Sequence, residues 1–166
     1  KLAFSKATVR QNIWSYPIRL GPVSIPDGYA VTNDNAVIER HDISPDGEWI
    51  VYNSNVRGSS DIYRSRLEGG SPIPITNNPL DDFAPTWSPD ANQIAFVSDR
   101  TGKPQIYVMD AGGGNVRQLT FGDYSTDPSW SPDPSVNRIA FVRVEGSEAN
   151  IYTIKPDGNA EKRLTS

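Results

Sequence analysis

One string of residues returns along this chain at a nearly fixed interval, and that return limits the fold more than any other property of the sequence. The tetrad Ser-Pro-Asp-X begins at Ser44, Ser88 and Ser131, 44 and 43 positions apart. An Ile-Tyr pair begins at Ile62, Ile106 and Ile151, 44 and 45 apart. A pair made of an apolar residue and Thr begins at Val31, Ile75, Leu119 and Leu164, 44, 44 and 45 apart. Three landmarks keeping one register over so long a stretch define a repeated supersecondary unit.

Each unit reads as four short strands. The first carries His41-Asp42-Ile43, Pro85-Thr86-Trp87 or Pro128-Ser129-Trp130. The tetrad follows as a turn, with Pro setting φ, Asp bonding its own backbone and Gly47 supplying positive φ. Ala91 and Pro134 stand where the first copy has Gly47, so those two turns are expected to be looser or differently shaped. "EWIVYNS", "QIAFVSD" and "RIAFVRV" supply a second strand rich in β-branched and aromatic residues. "DIYRSRL", "QIYVMDA" and "NIYTIKP" supply a third, and a segment ending in the apolar-Thr pair supplies the fourth.

Four antiparallel strands every 43 to 45 residues make one blade of a β-propeller. Fourteen prolines and 13 glycines against a single methionine agree with many tight turns. A lone four-stranded sheet buries little, so each blade needs a neighbour on both faces. Trp87 and Trp130 therefore read as wedges between sheets. The expectation is an all-β chain of about four four-stranded antiparallel blades in one partial domain. Blade 1 takes 1–34 and is incomplete, blade 2 takes 39–76, blade 3 takes 83–120 and blade 4 takes 126–166.

At this point "PTWSPDANQIAFVSDRTGKPQIYVMDAGGGNVRQLT" resembles the PD40, or WD40-like, repeat of the TolB β-propeller family, with tetrad, Ile-Tyr pair and closing Leu-Thr in order. The resemblance covers Asp42 to Ser166 well. Earlier, "KLAFSK", "NIWSYPI" and "GYAVTND" align with a second, third and fourth strand, and "RLGPVSIPDG" forms an enlarged connection. It implies a fragment of a larger propeller, a non-catalytic scaffold docking a protein or peptide at the channel mouth, and a periplasmic or otherwise extracytoplasmic bacterial setting. The alternatives it leaves are the substrate-gating propeller of a prolyl-oligopeptidase-like or tricorn-like peptidase, and the sensory end of a membrane-anchored regulator.

Composition removes several other classes. Sixteen Lys and Arg against 20 Asp and Glu give a net charge of -4, with the cations scattered, which disfavours duplex nucleic acid and anionic membranes as partners. No 18-residue apolar run encodes a membrane helix. "KLAFSKATVR" lacks the apolar stretch of a signal peptide. Zero cysteines exclude disulfides and thiolate chemistry, and the sole histidine, His41, cannot build a multi-imidazole metal centre. Carboxylates are plentiful, but none sit in a twelve-residue calcium loop. No Gly-X-Ser-X-Gly elbow occurs, and "AGGGN" at Ala111 to Asn115 lacks the Gly-Lys-Ser/Thr of a phosphate loop, so it reads as a turn. No catalytic residue, metal or cofactor is expected, and His41 reads as a surface or strand-entry residue.

Strand polarity points to a docking face. The second-to-third connections emerge at the same end as the inter-blade connections, opposite the Ser-Pro-Asp turns. Expected as the longer, more varied set are Ser54 to Asp61, Ser98 to Gln105 and Val144 to Asn150, with Asn33 to Arg40, Asn77 to Ala84 and Phe121 to Asp127 between blades. Loops on a rigid scaffold commonly carry binding residues. The candidates are Glu39, Arg40, Asp81, Asp82, Phe83, Asp123, Tyr124 and Asp127. Asp99-Arg100 is expected to pin its loop through hydrogen bonds. Uncovered flanks of the outer blades lead us to expect self-association, two copies closing an approximately eight-bladed ring.

Overall fold

The computed structural model describes residues 11–16, 28–32 and 36–165. All fourteen elements among them are β-strands, and no helix long and apolar enough to cross a membrane is present. Strands β1 (Trp14–Ser15) and β2 (Tyr29–Ala30) pair in a first sheet. The second sheet holds β3 (Ile38–Ile43), β4 (Trp49–Arg57), β5 (Ser59–Arg66) and β6 (Ile73–Pro74) in chain order. The third holds β7 (Asp82–Trp87), β8 (Gln93–Ser98), β9 (Gln105–Asp110) and β10 (Arg117–Gln118). The fourth holds β11 (Tyr124–Trp130), β12 (Ile139–Glu145), β13 (Glu148–Ile154) and β14 (Lys162–Arg163). All pairings are antiparallel. The strand expected in "KLAFSK" lies outside the described residues.

Alternation along each strand sends one set of side chains to the preceding sheet and the other to the following one. Val51, Ile62 and Ile75 of the second sheet meet Trp87, Ile94, Phe96, Tyr107 and Met109 of the third. Ala95, Val97, Ile106, Val108 and Leu119 of the third meet Trp130, Ile139, Phe141, Tyr152 and Ile154 of the fourth. Val31 of the first sheet, with Ile13 beside it, meets Ile50, Tyr52 and Tyr63. Trp87 and Trp130 are each 5% exposed, so both are wedges between sheets. An indole burying 150–250 Å² is worth on the order of 4–6 kcal/mol of transfer free energy at ~25 cal/mol per Å².

The apolar-Thr landmark has a physical cause that the spacing alone did not reveal. The hydroxyl oxygens of Thr76, Thr120 and Thr165 accept the amide N–H of Ile62, Ile106 and Ile151 at 2.8, 2.8 and 2.9 Å. Each hydroxyl donates in turn to the side chain just before that Ile: Asp61, Gln105 or Asn150. In the first sheet Thr32 does the same for the Ile13 amide at 2.9 Å, with Asn12 as acceptor. The latch closes the end of each two-residue fourth strand, where the main-chain ladder stops.

Two expectations about turns are corrected. The Ser88 turn is not looser than the Ser44 turn: Gln93 and Trp49 donate their amides to the Ser88 and Ser44 hydroxyls, both at 2.9 Å, and Ala91 adopts φ 58° where Gly47 has 72°. Ala91 keeps the shape by accepting a left-handed backbone. The Ser131 turn does differ, carrying Asn137 at φ 39° and Asp133 bonded to Ser135. Likewise the second-to-third connections of the second and fourth sheets are not long loops. Arg57 pairs with Ser59 around Gly58, and Glu145 with Glu148 around Gly146-Ser147, whereas the third sheet keeps a six-residue link from 99 to 104. Gly58 and Gly146 supply φ of 115° and 64°, which lets those hairpins zip to their tips.

Candidate functional site

The innermost strands β3, β7 and β11 stand side by side and wall a groove of about 580 Å³. Each carries one extra residue against its neighbour, between Ile38 and His41, Phe83 and Thr86, and Thr126 and Ser129. Such bulges re-aim side chains. Arg40, Ala84 and Asp127 occupy the corresponding place in the three strands, Ala84 and Asp127 both at φ 50°, and all three line the groove. Because the middle residue is only a methyl group, Arg40 and Asp127 reach across it to pair at 3.1 Å.

Below that pair the groove runs past His41, Pro85 and Pro128, then Asp42, Thr86 and Ser129, to Pro45, Pro89 and Pro132 at the tetrad end. Pro85 and Pro128 sit on edge strands, where a missing N–H costs nothing and blocks strand addition. Asp42 and Thr86 tie the wall together. The Asp42 carboxylate accepts the Thr86 hydroxyl at 3.0 Å and the Trp87 amide at 2.8 Å, and Thr86 accepts the Trp130 amide at 3.4 Å. His41 belongs to β3 and faces the groove rather than a strand entry. His41 and Ser129 share the lining, and no hydrogen bond joins them among the described residues.

At the loop end, second-to-third and inter-blade segments lie together as strand polarity requires. Ser60 donates its amide to Asp81 at 2.8 Å, Arg57 bonds Asn77 at 2.9 Å, and Gln105 bonds the Asp123 carbonyl at 2.8 Å. Lys103 reaches Asp123 at 3.8 Å. Glu39 and Asp81 border a small polar niche with Asn53, Asn55 and Ser60. Tyr124 is exposed, and Phe121, on the same end beside Lys103, is 69% exposed.

Two of the expected docking residues serve the fold. Asp82 is fully buried and its carboxylate takes Arg100 through both oxygens at 3.2 Å; Phe83 packs into the core between third and fourth sheets. Strand β7 starts at Asp82, earlier than the sequence pattern suggests, because the Asp82–Ser98 pairing is sealed by Arg100, whose Nε also donates to Ser98 at 2.8 Å. The Arg100 guanidinium lies 4.8 Å from the Tyr107 ring centre, so the expected loop pin is a half-buried, ring-stacked network. Asp99 beside it is held above the ordinary aspartate range, first by burial and then by the Asp81 and Asp82 charges. The groove and its ion pair escaped the sequence reading; the signal was the shared repeat position of Arg40, Ala84 and Asp127.

Comparison with known proteins places these observations. The family model described as the PD40 TolB beta propeller domain matches residues 27–166. A protein TolB homolog of Chlorobium luteolum is 33% identical over 120 residues, covering 72% of this chain and 27% of that protein. The crystal structure of TolB from Acinetobacter baumannii superposes with a TM-score of 0.72 at 27% identity, covering 94% of this chain and 38% of that one. A puromycin hydrolase structure shares the fold at 18% identity, TM-score 0.67, over 85% of this chain and 24% of its own. The chain spans well under half the length of each.

Proposed function

The chain belongs to the PD40 TolB β-propeller family, and from that premise we propose that it is a non-catalytic scaffold, working outside the cytoplasm, that docks a protein or peptide on its loop end at the mouth of the groove. The observation that carries this reading is the cross-groove pair of Arg40 and Asp127, with exposed Tyr124 and Phe121 on the same end. Arginine and aromatic side chains are the usual anchors of protein interfaces, and an ion pair whose partners are 65% and 44% exposed contributes only ~0.2–1 kcal/mol, so an incoming chain can displace it cheaply. Glu39 and Asp81 in their polar niche and Asp123 beside Lys103 lie on the same loop end and give it an acidic cast, suited to a basic or polar partner segment.

Site-specific photocrosslinking tests it. A photoreactive residue at Phe121 or Tyr124 should yield a discrete adduct in cells, weakened by Asp127→Lys, while the same residue at Asp133 or Asp157 on the tetrad end should yield none. Equal adducts from both ends, or an adduct indifferent to Asp127, would sink the reading. The second reading, a propeller gating a peptidase, draws on the shared fold of the puromycin hydrolase; it predicts that the crosslinked peptide is a substrate cut elsewhere in the parent protein.

A further inference from the structure

The ion pairs of this molecule are of two kinds. Arg100 takes Asp82 through both carboxylate oxygens at 3.2 Å, and Arg143 takes Glu161 at 2.6 and 2.9 Å, each pair within one sheet. Such two-pronged contacts fix geometry as well as charge. The Arg40–Asp127 pair is built otherwise. It joins the second sheet to the fourth, meets through one nitrogen and one oxygen at 3.1 Å, and leaves both partners substantially exposed. Among the described residues neither charged group has a further ion-pair partner.

Ala84 keeps the crossing open. Its backbone holds φ 50°, a left-handed conformation that a β-carbon strains and that Gly, Asn or Asp adopts more readily. Asp127, at the same φ in β11, belongs to that set and Ala84 does not. Having no atom beyond its methyl group, Ala84 offers neither charge a polar side-chain substitute. When the two charges part, the wall between them replaces neither partner.

A segment entering the groove from the loop end meets this pair first. Parting it leaves a guanidinium on the β3 side and a carboxylate on the β11 side. A segment with one charge answers one of them and strands the other, whereas a segment with both signs replaces every contact it breaks. The surroundings favour this order of signs. Asp127 follows Asp123 and the exposed ring of Tyr124, a setting that welcomes a cation. On the β3 side Arg40 and His41 line the groove, while Glu39 lies outside that lining and borders the separate polar niche.

We propose, resting on the loop-end docking reading, that the docked segment is of mixed charge: an acidic side chain pairs with Arg40 on β3 and a Lys or Arg with Asp127 on β11, the two straddling Ala84. Arg40 and Asp127 are then the residues that select the partner, and a segment of uniform charge is rejected.

Photocrosslinking from Phe121 in the parent protein, in cells, tests this with charge variants. Arg40→Gln and Asp127→Asn should each lower adduct yield about threefold, and Asn tolerates the φ of 50° at position 127. Arg40→Asp and Asp127→Arg alone should each lower it about tenfold or more. The chain carrying both exchanges can remake its own pair with reversed polarity, yet its yield should stay about tenfold down, because the partner's charges now face like charges. An unchanged urea midpoint separates lost recognition from lost folding. Where the exchanged chain unfolds early, the neutral variants decide, since Arg40→Gln must lose adduct as well as Asp127→Asn. Full yield from the exchanged chain would mean that the pair only shapes the groove, which overturns this inference and leaves loop-end docking standing. So would an adduct that falls with the Asp127 variants and ignores those at Arg40, because one charge would then suffice. An adduct absent from the parent, or indifferent to both positions, removes the docking reading as well.

Discussion

The third and fourth sheets are built from nearly the same sentence of sequence, yet the same positions carry different weight in each. Ile106 is fully buried between two sheets, while Ile151 is covered on one side only. Trp130 donates its indole N–H to Asn137 at 3.2 Å in the enlarged turn; Trp87, in the shorter one, finds no protein acceptor among the described residues. Both sheets lay a guanidinium over an aromatic pair, Arg100 over Phe96 and Tyr107, Arg143 over Phe141 and Tyr152. They reach it differently. Arg100 comes from the loop and binds buried Asp82, while Arg143 lies in β12 opposite Ser125 and binds Glu161 at 2.6 and 2.9 Å. The Glu161 hydrogen bond holds Arg143 above the ordinary arginine value, so its charge is permanent. A repeat conserves a spatial need; which residue meets it is open.

The largest break in that symmetry should come from Ile106→Ala, which empties a closed core and costs about 3 kcal/mol, against under about 1 kcal/mol for Ile151→Ala, both read from urea unfolding. Equal losses would mean that the fourth sheet's outer face is covered in solution. Next, Asp82→Asn should cost about 2 kcal/mol, since it weakens a charge-assisted bond to a partly shielded guanidinium, and Glu161→Gln about half that or less. Thr120→Val removes the buried latch and leaves the Ile106 amide without an acceptor, a loss of about 1–2 kcal/mol; Thr165→Val, where water can substitute, should lose at most about 0.5 kcal/mol.

The smallest effect concerns two acids of the third sheet itself. The Ser88 hydroxyl, opposed by partial burial, holds Asp90 below the usual aspartate value, so its contribution is present above the unfolded value near 3.8 and fades as pH falls through the lower folded value. Asp99 has the opposite sign. Between 3.8 and its raised folded value the native state holds more protons, so stability declines as pH rises through that window. Asp99→Asn should therefore raise the melting temperature by about 1–2 °C at neutral pH and leave it unchanged below pH 3.8. A neutral-pH loss would show that Asp99 bonds more than it repels.

Much of this architecture was legible in one dimension because its determinants are local. Ser44 and Ser88 need Asp two residues on and an amide five residues on, so the turn is written in one short string. The latch joins residues only 14 apart, a separation that the repeat period preserves. The docking residues were less legible. Asp81 and Asp82 are neighbours in a run that reads as an acidic loop, yet one carboxylate is exposed and the other is sealed under Arg100, because β7 begins between them and successive strand residues point to opposite faces. The long loops expected at Ser54 and Val144 failed for a related reason: nothing in a polar segment tells whether its ladder continues to the tip.

By itself the sequence determined the unit: four strands, a tetrad turn, a threonine latch and a wedge tryptophan, each set by contacts within one period of about 44 residues. Only the tertiary structure decided what stands opposite what. Arg40 and Asp127 meet across Ala84 because three bulged strands, separated by two full periods of chain, stand side by side. Ile106 and Ile151 differ because burial belongs to the neighbour that arrives, and no residue encodes its neighbour's presence.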